Sequence, residues 1–385
     1  MVRPAAVVSV VGERIEGRFT SKLHETRIAA VLGIALGISF TLCMVTGVIS
    51  HLIQHPPSWF EWPSRPAGLY RITQGLHVVT GFTAIPLLIA KLWVVSPRLW
   101  TWPPVRSVAH AVERISIVPL IGGSLFMLFS GVANVARWYP YDFYFPSAHF
   151  AVAWVTVGGL VAHIAAKIAL TRDALRRTPA PELATANRID RRVFLGGVAA
   201  TSGLVALATA GATVGPLSNL SVLAQRVPEQ GPQGVPVNKS AAAARVHDVA
   251  TSGDYRLVVD GNVATPLSLT LADLRALPQS EATLPITCVE GWSRGARWRG
   301  IAVRDLMAMA GAREGAEVTV ESIERGSRYR RSNLTHDQSQ DRDALLALEI
   351  NGEPLHLDHG FPVRLIAPNR PGVMQTKWVT KVTVR

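Results

Sequence analysis

Two kinds of side chain in this sequence are placed to do redox chemistry. The first is Cys288, in Leu284-Pro-Ile-Thr-Cys-Val-Glu-Gly-Trp-Ser293, where an apolar segment runs into a polar loop. Arg294, Arg297 and Arg299 follow closely and favour a thiolate. A thiolate is a soft ligand for a heavy, redox-active metal. The other cysteine, Cys43, lies inside an apolar run and reads as a small core residue. With one member in the bilayer, the two do not form a disulfide.

The second kind is histidine. Seven of the eleven lie in or near long apolar runs: His24, His51, His55, His77, His110, His149 and His163. Ionisable groups in such runs are functional candidates. His149 and His163 are 14 residues apart on one run. On a helix they fall within about 40° of one face and roughly 21 Å apart along the axis. That spacing suits two stacked haems, each held by two imidazoles. His77 and His149 match in depth and form the outer pair. His163 forms the inner one with either His24 or His110. His51 remains as a ligand, a quinone-site donor or an interfacial polar residue.

The elements that must position these groups fall into two halves. Mean hydropathy is positive, and five uncharged runs are long enough to span a bilayer: 28–60, 72–90, 115–136, 143–166 and 193–225. Arginine and lysine crowd the N-terminal tail and the loops after the second and fourth runs. By the positive-inside rule the N-terminus is cytoplasmic, and five crossings leave the C-terminal half outside the cytoplasm. Trp59, Trp62, Tyr70, Trp138, Tyr139, Tyr141 and Tyr144 form an interfacial belt at the outer loops. The net charge of +12 sits in the membrane half: residues 1–230 hold 20 Lys and Arg against 10 acids, residues 231–385 hold 19 against 17. Membrane topology accounts for that excess, and nucleic-acid binding is not expected. Asp190-Arg191-Arg192-Val193-Phe194-Leu195 before an Ala/Gly-rich stretch resembles a twin-arginine export signal, here internal.

The expected domain order is a cytoplasmic tail (1–26), a four-helix membrane domain (27–172), a cytoplasmic loop with the arginine pair (173–192), a fifth membrane helix (193–215), a Pro/Gly/Gln-rich linker (216–240) and a soluble α+β domain (241–385). In the last, Tyr255–Val259, Val363–Ile366 and Trp378–Val384 read as strands, and 272–277 and 303–310 as short helices. Asn351-Gly352 between apolar runs predicts a hairpin turn.

Residues 20–175 resemble the four-helix di-haem b cytochromes of the b561 and formate-dehydrogenase-subunit kind. That resemblance implies two haem b groups, His77 with His149 and His24 with His163. Residues 237–385 resemble the sulfite-oxidase-type molybdopterin enzymes in three ordered stretches: Cys288-Val-Glu-Gly-Trp-Ser293 with Trp298-Arg-Gly-Ile301, then Asn351-Gly-Glu-Pro with His359-Gly-Phe-Pro-Val-Arg-Leu-Ile-Ala-Pro368, then Gly372-Val-Met-Gln-Thr-Lys-Trp-Val379. The resemblance implies that Cys288 ligates molybdenum and is the catalytic residue. It places the pterin and its phosphate on Asn238, Ala241, Ala242, Ser322, His359, Arg364, Gln375, Thr376 and Lys377. Forked cations, a point charge and amide or hydroxyl donors suit a phosphorylated pterin.

Sulfite oxidases have an arginine pair soon after the cysteine, and Glu290, Gly291 and Trp292 stand there instead. The loop is closer to the bacterial periplasmic methionine sulfoxide reductase of this fold. The immunoglobulin-like dimerisation domain of the oxidases is not matched, so dimerisation is not implied. The resulting expectation is a membrane-bound molybdopterin-dependent oxidoreductase, multi-pass, with an extracytoplasmic catalytic domain. It would act on a small substrate or a methionine-sulfoxide-like group by oxygen-atom transfer, trading electrons with quinone through haem. The alternative is an electron-transfer cytochrome b with a non-catalytic docking domain.

Overall fold

A computed structural model describes residues 21–99, 107–176, 191–223 and 231–385. The expected tail up to Phe19 and Thr20, the loop residues 177–190 with Asp190, and 224–230 of the expected linker lie outside them. Two compact units result. One comprises Met1–Gly47 with Leu76–Thr209, the other Val48–Gly75 with Ala210–Arg385.

Five helices supply the first unit: α1 Thr26–Gln54, α2 Leu69–Leu99, α3 Val108–Ala136, α4 Phe145–Arg176 and α5 Arg191–Ala210, with the end of α1 and the start of α2 counted in the second. Each is long and apolar enough to cross a membrane. Exposed Ile, Val, Leu and Trp side chains stud their surfaces, such as Ile38, Ile89, Val118, Trp154 and Leu204, which suits a lipid surround. Their ends follow local chemistry. The first apolar run was expected to continue to Phe60, but α1 stops at Gln54, just before Pro56 and Pro57, which cannot extend a helix. Ser107 caps α3 by accepting from the His110 N–H, and Arg137 ends it in the left-handed region at φ 53°. The fifth helix ends at Ala210, five residues earlier than expected, and a 3-10 turn over Gly215–Leu220 follows. Arg191, the first residue of α5, pairs with Glu25 at 3.5 Å.

Small polar side chains tie these helices together. Ser39 Oγ donates to Thr80 O at 2.7 Å, and Thr46, Thr80 and Ser130 return their hydroxyls to carbonyls one turn back. In lipid every such group must find a partner inside the protein.

The second unit is built on two five-stranded sheets. The strands are β1 Leu257–Gly261, β2 Leu267–Leu269, β3 Ser280–Thr287, β4 Ser293–Ala302, β5 Val318–Ser322, β6 Arg331–Leu334, β7 Leu345–Ile350, β8 Glu353–Pro354, β9 Arg364–Ile366 and β10 Val379–Val384. One sheet runs β2-β1-β10-β5-β6; the other runs β3-β4-β7-β8, with β9 also paired to β7. Among these strands of the described residues, only β1 and β10 pair in parallel. Strand β7, Leu-Leu-Ala-Leu-Glu-Ile, shows how the period-2 pattern builds the core. Leu346 and Leu348 join the main core with Val259, Val318 and Val382, while Leu345 and Ala347 face a second cluster containing Cys288, Trp292 and Trp298. Asn351 and Gly352, at φ 53° and 90°, turn β7 into β8 as the dipeptide predicts.

Residues 48–75 were expected to be an interfacial loop and two helix ends. They belong to this second unit and are hydrogen-bonded into it. Trp62 Nε1 donates to Asn369 O at 3.0 Å, Asn369 Nδ2 donates to Pro63 O at 2.6 Å, and Tyr70 N donates to Asn369 Oδ1 at 2.6 Å. Arg65 makes a two-pronged contact with Asp341 and a third with Asp343.

Candidate functional site

Cys288 sits at the tip of the hairpin formed by β3 and β4. Eight residue pairs register the two strands, from Ser280 with Gly300 to Thr287 with Ser293. The last pair is cross-linked by its hydroxyls at 2.9 Å. The tip folds back on itself: Cys288 N donates to Trp292 O at 2.9 Å, and Gly291 N to Cys288 O at 3.1 Å. Gly291 carries φ 96°, which a side chain would resist. Glu290 accepts from Trp292 Nε1 at 3.1 Å. The thiol is buried, with the residue 2% exposed. Gln74 Nε2 donates to Val289 O at 3.2 Å, so residues 48–75 reach the loop itself.

The arginines expected to favour a thiolate do not all face it. Strand alternation buries Ala296 and Trp298 and sends Arg297 and Arg299 outward. Arg299 pairs with Glu349 at 2.9 Å. The cations near the site come instead from the late segment of the chain.

Arg364 leads β9 and is fully withdrawn from water, its guanidinium 5.5 Å from the Trp298 ring centre. Its Nη1 donates to His359 O at 3.1 Å, while Nε has no hydrogen-bond partner. Burial pushes its pKa down to about 9. His359 gives Nε2 to Pro232 O at 2.7 Å and leaves Nδ1 buried without a partner. Burial first, and then the Arg364 charge, push its imidazole down to about 4. Lys377 Nζ donates to Lys239 O at 2.9 Å and Asp358 O at 2.8 Å. Its pKa falls well below the ordinary value through burial and the charge of Arg364, with Asp358, Cys288 and Glu324 opposing.

The other residues assigned by resemblance gather around this core. Asn238 turns its side chain onto Lys239 N. Ala241 N donates to Asp358 Oδ1 at 2.7 Å, and Ala242 stands beside it, exposed, on a one-turn helix, Ala241–Ala244. Ser322 Oγ donates to Lys377 O at 2.7 Å. Thr376 Oγ1 donates to Ser332 Oγ at 2.7 Å. Gln375 is buried with Oε1 unpartnered. Orphaned, buried polar atoms on His359 and Arg364 are expensive in a folded protein unless a ligand meets them. An anionic, hydrogen-bonding group such as a phosphorylated pterin fits this donor set.

Arg370 was not anticipated. It is buried, 4% exposed, and its Nη1 donates to Gln338 Oε1. Its Nε and Nη2 have no partner. In sequence it is one arginine in Pro368-Asn-Arg-Pro-Gly372, a turn-rich string that reads as surface. The signal lay in the register, since Pro371 bridges Thr287, the neighbour of Cys288.

Within the helical unit, His77 and His149 come together, with ring centres 6.4 Å apart and planes at 69°. Each ring is held through Nδ1: His77 by Cys43 O at 3.0 Å and Thr46 Oγ1 at 3.2 Å, His149 by Ser130 Oγ at 2.9 Å. Gly47 and Gly131 lie against the two rings, where a Cβ would stand 3.1 Å and 3.8 Å from the imidazole Cε1 atoms. Two imidazoles anchored in this way would suit a metal or haem iron, which His77 and His149 would hold. The proposed inner ligands have other neighbours. His24 ends a short 3-10 turn, its ring 4.7 Å from Trp93 and its Nδ1 3.0 Å from Val94 O. His163 is half-buried on α4. His110 lies in the first turn of α3. His51 stacks on His55 at 4.8 Å.

Residues 243–385 match the family described as the oxidoreductase molybdopterin binding domain. Mouse mitochondrial sulfite oxidase (Mus musculus) is 36% identical over 157 residues, covering 34% of this chain and 29% of that protein. The uncharacterized oxidoreductase YuiH of Bacillus subtilis is 36% identical over 126 residues, covering 32% of this chain and 62% of that protein. The sulfane dehydrogenase SoxCD of Paracoccus pantotrophus, a solved structure, is 28% identical with a TM-score of 0.32, over 34% of this chain and 38% of that one. The chain thus spans under a third of the mouse enzyme's length and less than two thirds of the bacterial protein's. Residues 243–385 thus match a molybdopterin-binding oxidoreductase domain and are similar to the corresponding part of sulfite oxidases.

Proposed function

We propose that this chain is a membrane-bound molybdenum-cofactor oxidoreductase that works on a small extracytoplasmic substrate and exchanges electrons with membrane quinone through b-type haem. The observation that carries the catalytic half is the convergence of Cys288, Arg364, His359 and Lys377 in one buried cluster with unpartnered donors. When bound, molybdopterin supplies two-electron oxygen-atom-transfer chemistry. Cys288 would supply the protein thiolate to the metal, held at the tip of a rigid hairpin. Arg364 and Lys377 would hold the phosphate, and His359, kept neutral, would donate or accept a hydrogen bond at Nδ1. The closed Cys288–Trp292 turn keeps the thiolate in one orientation and shields it from water.

The electron-transfer half rests on His77 and His149. Anchoring Nδ1 of each ring fixes its tautomer and aims Nε2 at a metal, the usual way of orienting an imidazole ligand. A bis-histidine haem in apolar helices is an electron carrier rather than an oxygen-binding site. A second haem on His163 with His24 extends the same reading.

The test uses the purified full chain in detergent. With its haems reduced, added methionine sulfoxide or dimethyl sulfoxide should reoxidise them; with its haems oxidised, sulfite is the complementary trial. Cys288→Ser should abolish either response and keep the haem spectrum. His149→Ala should remove one b-type signal. Haem-free wild-type protein, or turnover that survives Cys288→Ser, would defeat the proposal.

A further inference from the structure

Residues 231–235, expected to be linker, are clamped onto the domain where they pass His359. Pro232 sets its carbonyl 2.7 Å from His359 Nε2. A carbonyl can only accept, so Nε2 carries the ring proton. Nδ1 is buried and has no hydrogen-bond partner. The surroundings oppose a second proton there. Arg364 Nη1 donates to His359 O at 3.1 Å, Lys377 Nζ donates to Asp358 O at 2.8 Å, and the His356 ring stands 6.4 Å away. Burial and then the Arg364 charge hold the imidazole neutral, with Lys377 and His356 adding to the effect and the Pro232 bond opposing it. A neutral ring with its proton on Nε2 has a bare lone pair on Nδ1.

The clamp is centred on Gln233. Its backbone sits at φ 56° and ψ 24°, a left-handed conformation that a residue with a side chain rarely adopts. Such a residue persists where its surroundings fix it. The Gln233 side chain is bonded at both ends: Nε2 donates to Pro354 O at 2.8 Å, and Oε1 accepts from His356 N at 2.9 Å. One partner can only accept and the other only donate, so the amide has one orientation. The Gln233 carbonyl accepts from Asn351 Nδ2 at 2.8 Å, and Asn351 Oδ1 accepts from Arg297 N on β4 at 3.0 Å. Gly231, at φ 137°, lets the chain pass close beneath: a Cβ there would lie 2.2 Å from Val235 O. Val235 itself is fully buried in the cluster that contains Cys288. All of 231–235 precedes residues 243–385, the part that matches the molybdopterin-binding family.

We infer that Gln233 is a positioning residue: it holds the Pro232 carbonyl on His359 Nε2, so that His359 presents a lone pair at Nδ1 and accepts a hydrogen bond from an N–H group of the pterin ring system. This rests on the reading of the cradle as a pterin site. An ionised phosphate oxygen offers only lone pairs and would be repelled by that nitrogen. The phosphate is left to the donors of Arg364 and Lys377, and His359 meets the N–H edge of the ring.

Nitrogen NMR on the full chain, isotopically labelled in its histidine rings, tests the inference. His359 is identified by the signal missing from His359→Gln, and pterin is assayed in the same preparations. In wild type the His359 ring should show a protonated Nε2 and a bare Nδ1. Gln233→Gly suits the left-handed backbone and removes only the side-chain clamp. It should mix the two ring tautomers and speed the loss of pterin about tenfold, the effect of losing one hydrogen bond of ordinary strength. A wild-type ring protonated at Nδ1 overturns the inference whether or not the variant folds. So does a Gln233→Gly protein that keeps either the wild-type ring pattern or the wild-type pterin retention. Wild type that carries no pterin overturns the underlying functional reading instead, and its ring pattern still decides the tautomer.

Discussion

His359 gives the residue scale a pH signature. Unfolded, its imidazole titrates near 6.5; folded, burial and the Arg364 charge hold it neutral down to about 4. Between those values the unfolded chain carries the extra proton, so acid favours unfolding. The contribution is whole above pH 6.5 and is lost as pH falls toward 4, to a limit of about 3 kcal/mol. Thermal unfolding of the cofactor-free protein should therefore show a drop across that window, and His359→Gln should flatten it. A wild-type profile no steeper than the variant's would contradict the assignment of a neutral His359. At this scale the sequence was most legible where one residue type has few roles. The structure sets the thiol of Cys288 in the buried tip of a hairpin and brings His77 beside His149, two of the histidines that the apolar runs singled out. Arg370 was not legible, because an arginine between two prolines has every local mark of a solvated turn. Arg297 and Arg299 misled in the opposite sense: nearness in sequence placed them by Cys288, and strand alternation turned them away.

The element scale turns on β4. It pairs with β3 on one edge and β7 on the other, and its register shifts between Arg299 and Gly300. At Gly300 the two backbones come so close that an added Cβ would lie 2.1 Å from Leu346 O. No side chain can relax that contact, because the obstruction is main chain. Gly300→Ala should cost about 2–3 kcal/mol, at the upper end for a single substitution, and should loosen the hairpin that carries Cys288. Denaturant unfolding checks it; a change within about 0.5 kcal/mol, typical of inert surface sites, would show that β7 gives way. The long apolar helices were the easiest elements to read, since long uncharged runs leave few alternatives. Their ends were harder: α2 continues past Lys91 to Leu99, and α4 past Lys167 to Arg176. Strands β3 and β4 carry Glu281, Pro285 and three arginines, so their exposed faces obscured the alternating pattern until the partner strands were known.

At the scale of the whole molecule, the catalytic unit is discontinuous in sequence. Residues 48–75 were assigned to the membrane half from their place between two apolar runs, yet they fold with 210–385. The bonds that put them there join residues about 300 positions apart, such as Trp62 with Asn369, and no local pattern announces such contacts. One consequence is that the C-terminal domain expressed alone would lack the partners of Asn369, Gln338 and Asp341, so the full chain is the right object for metal analysis. Under the proposed function Cys288 binds molybdenum. Molybdenum K-edge X-ray absorption on the purified full chain, wild type beside Cys288→Ser, counts the sulfur neighbours of that metal. The expected result is a molybdenum-loaded wild type whose spectrum shows one more sulfur neighbour than that of the variant. Equal sulfur counts in the two proteins, or a wild type from molybdate-replete cells that carries no molybdenum, would contradict the claim.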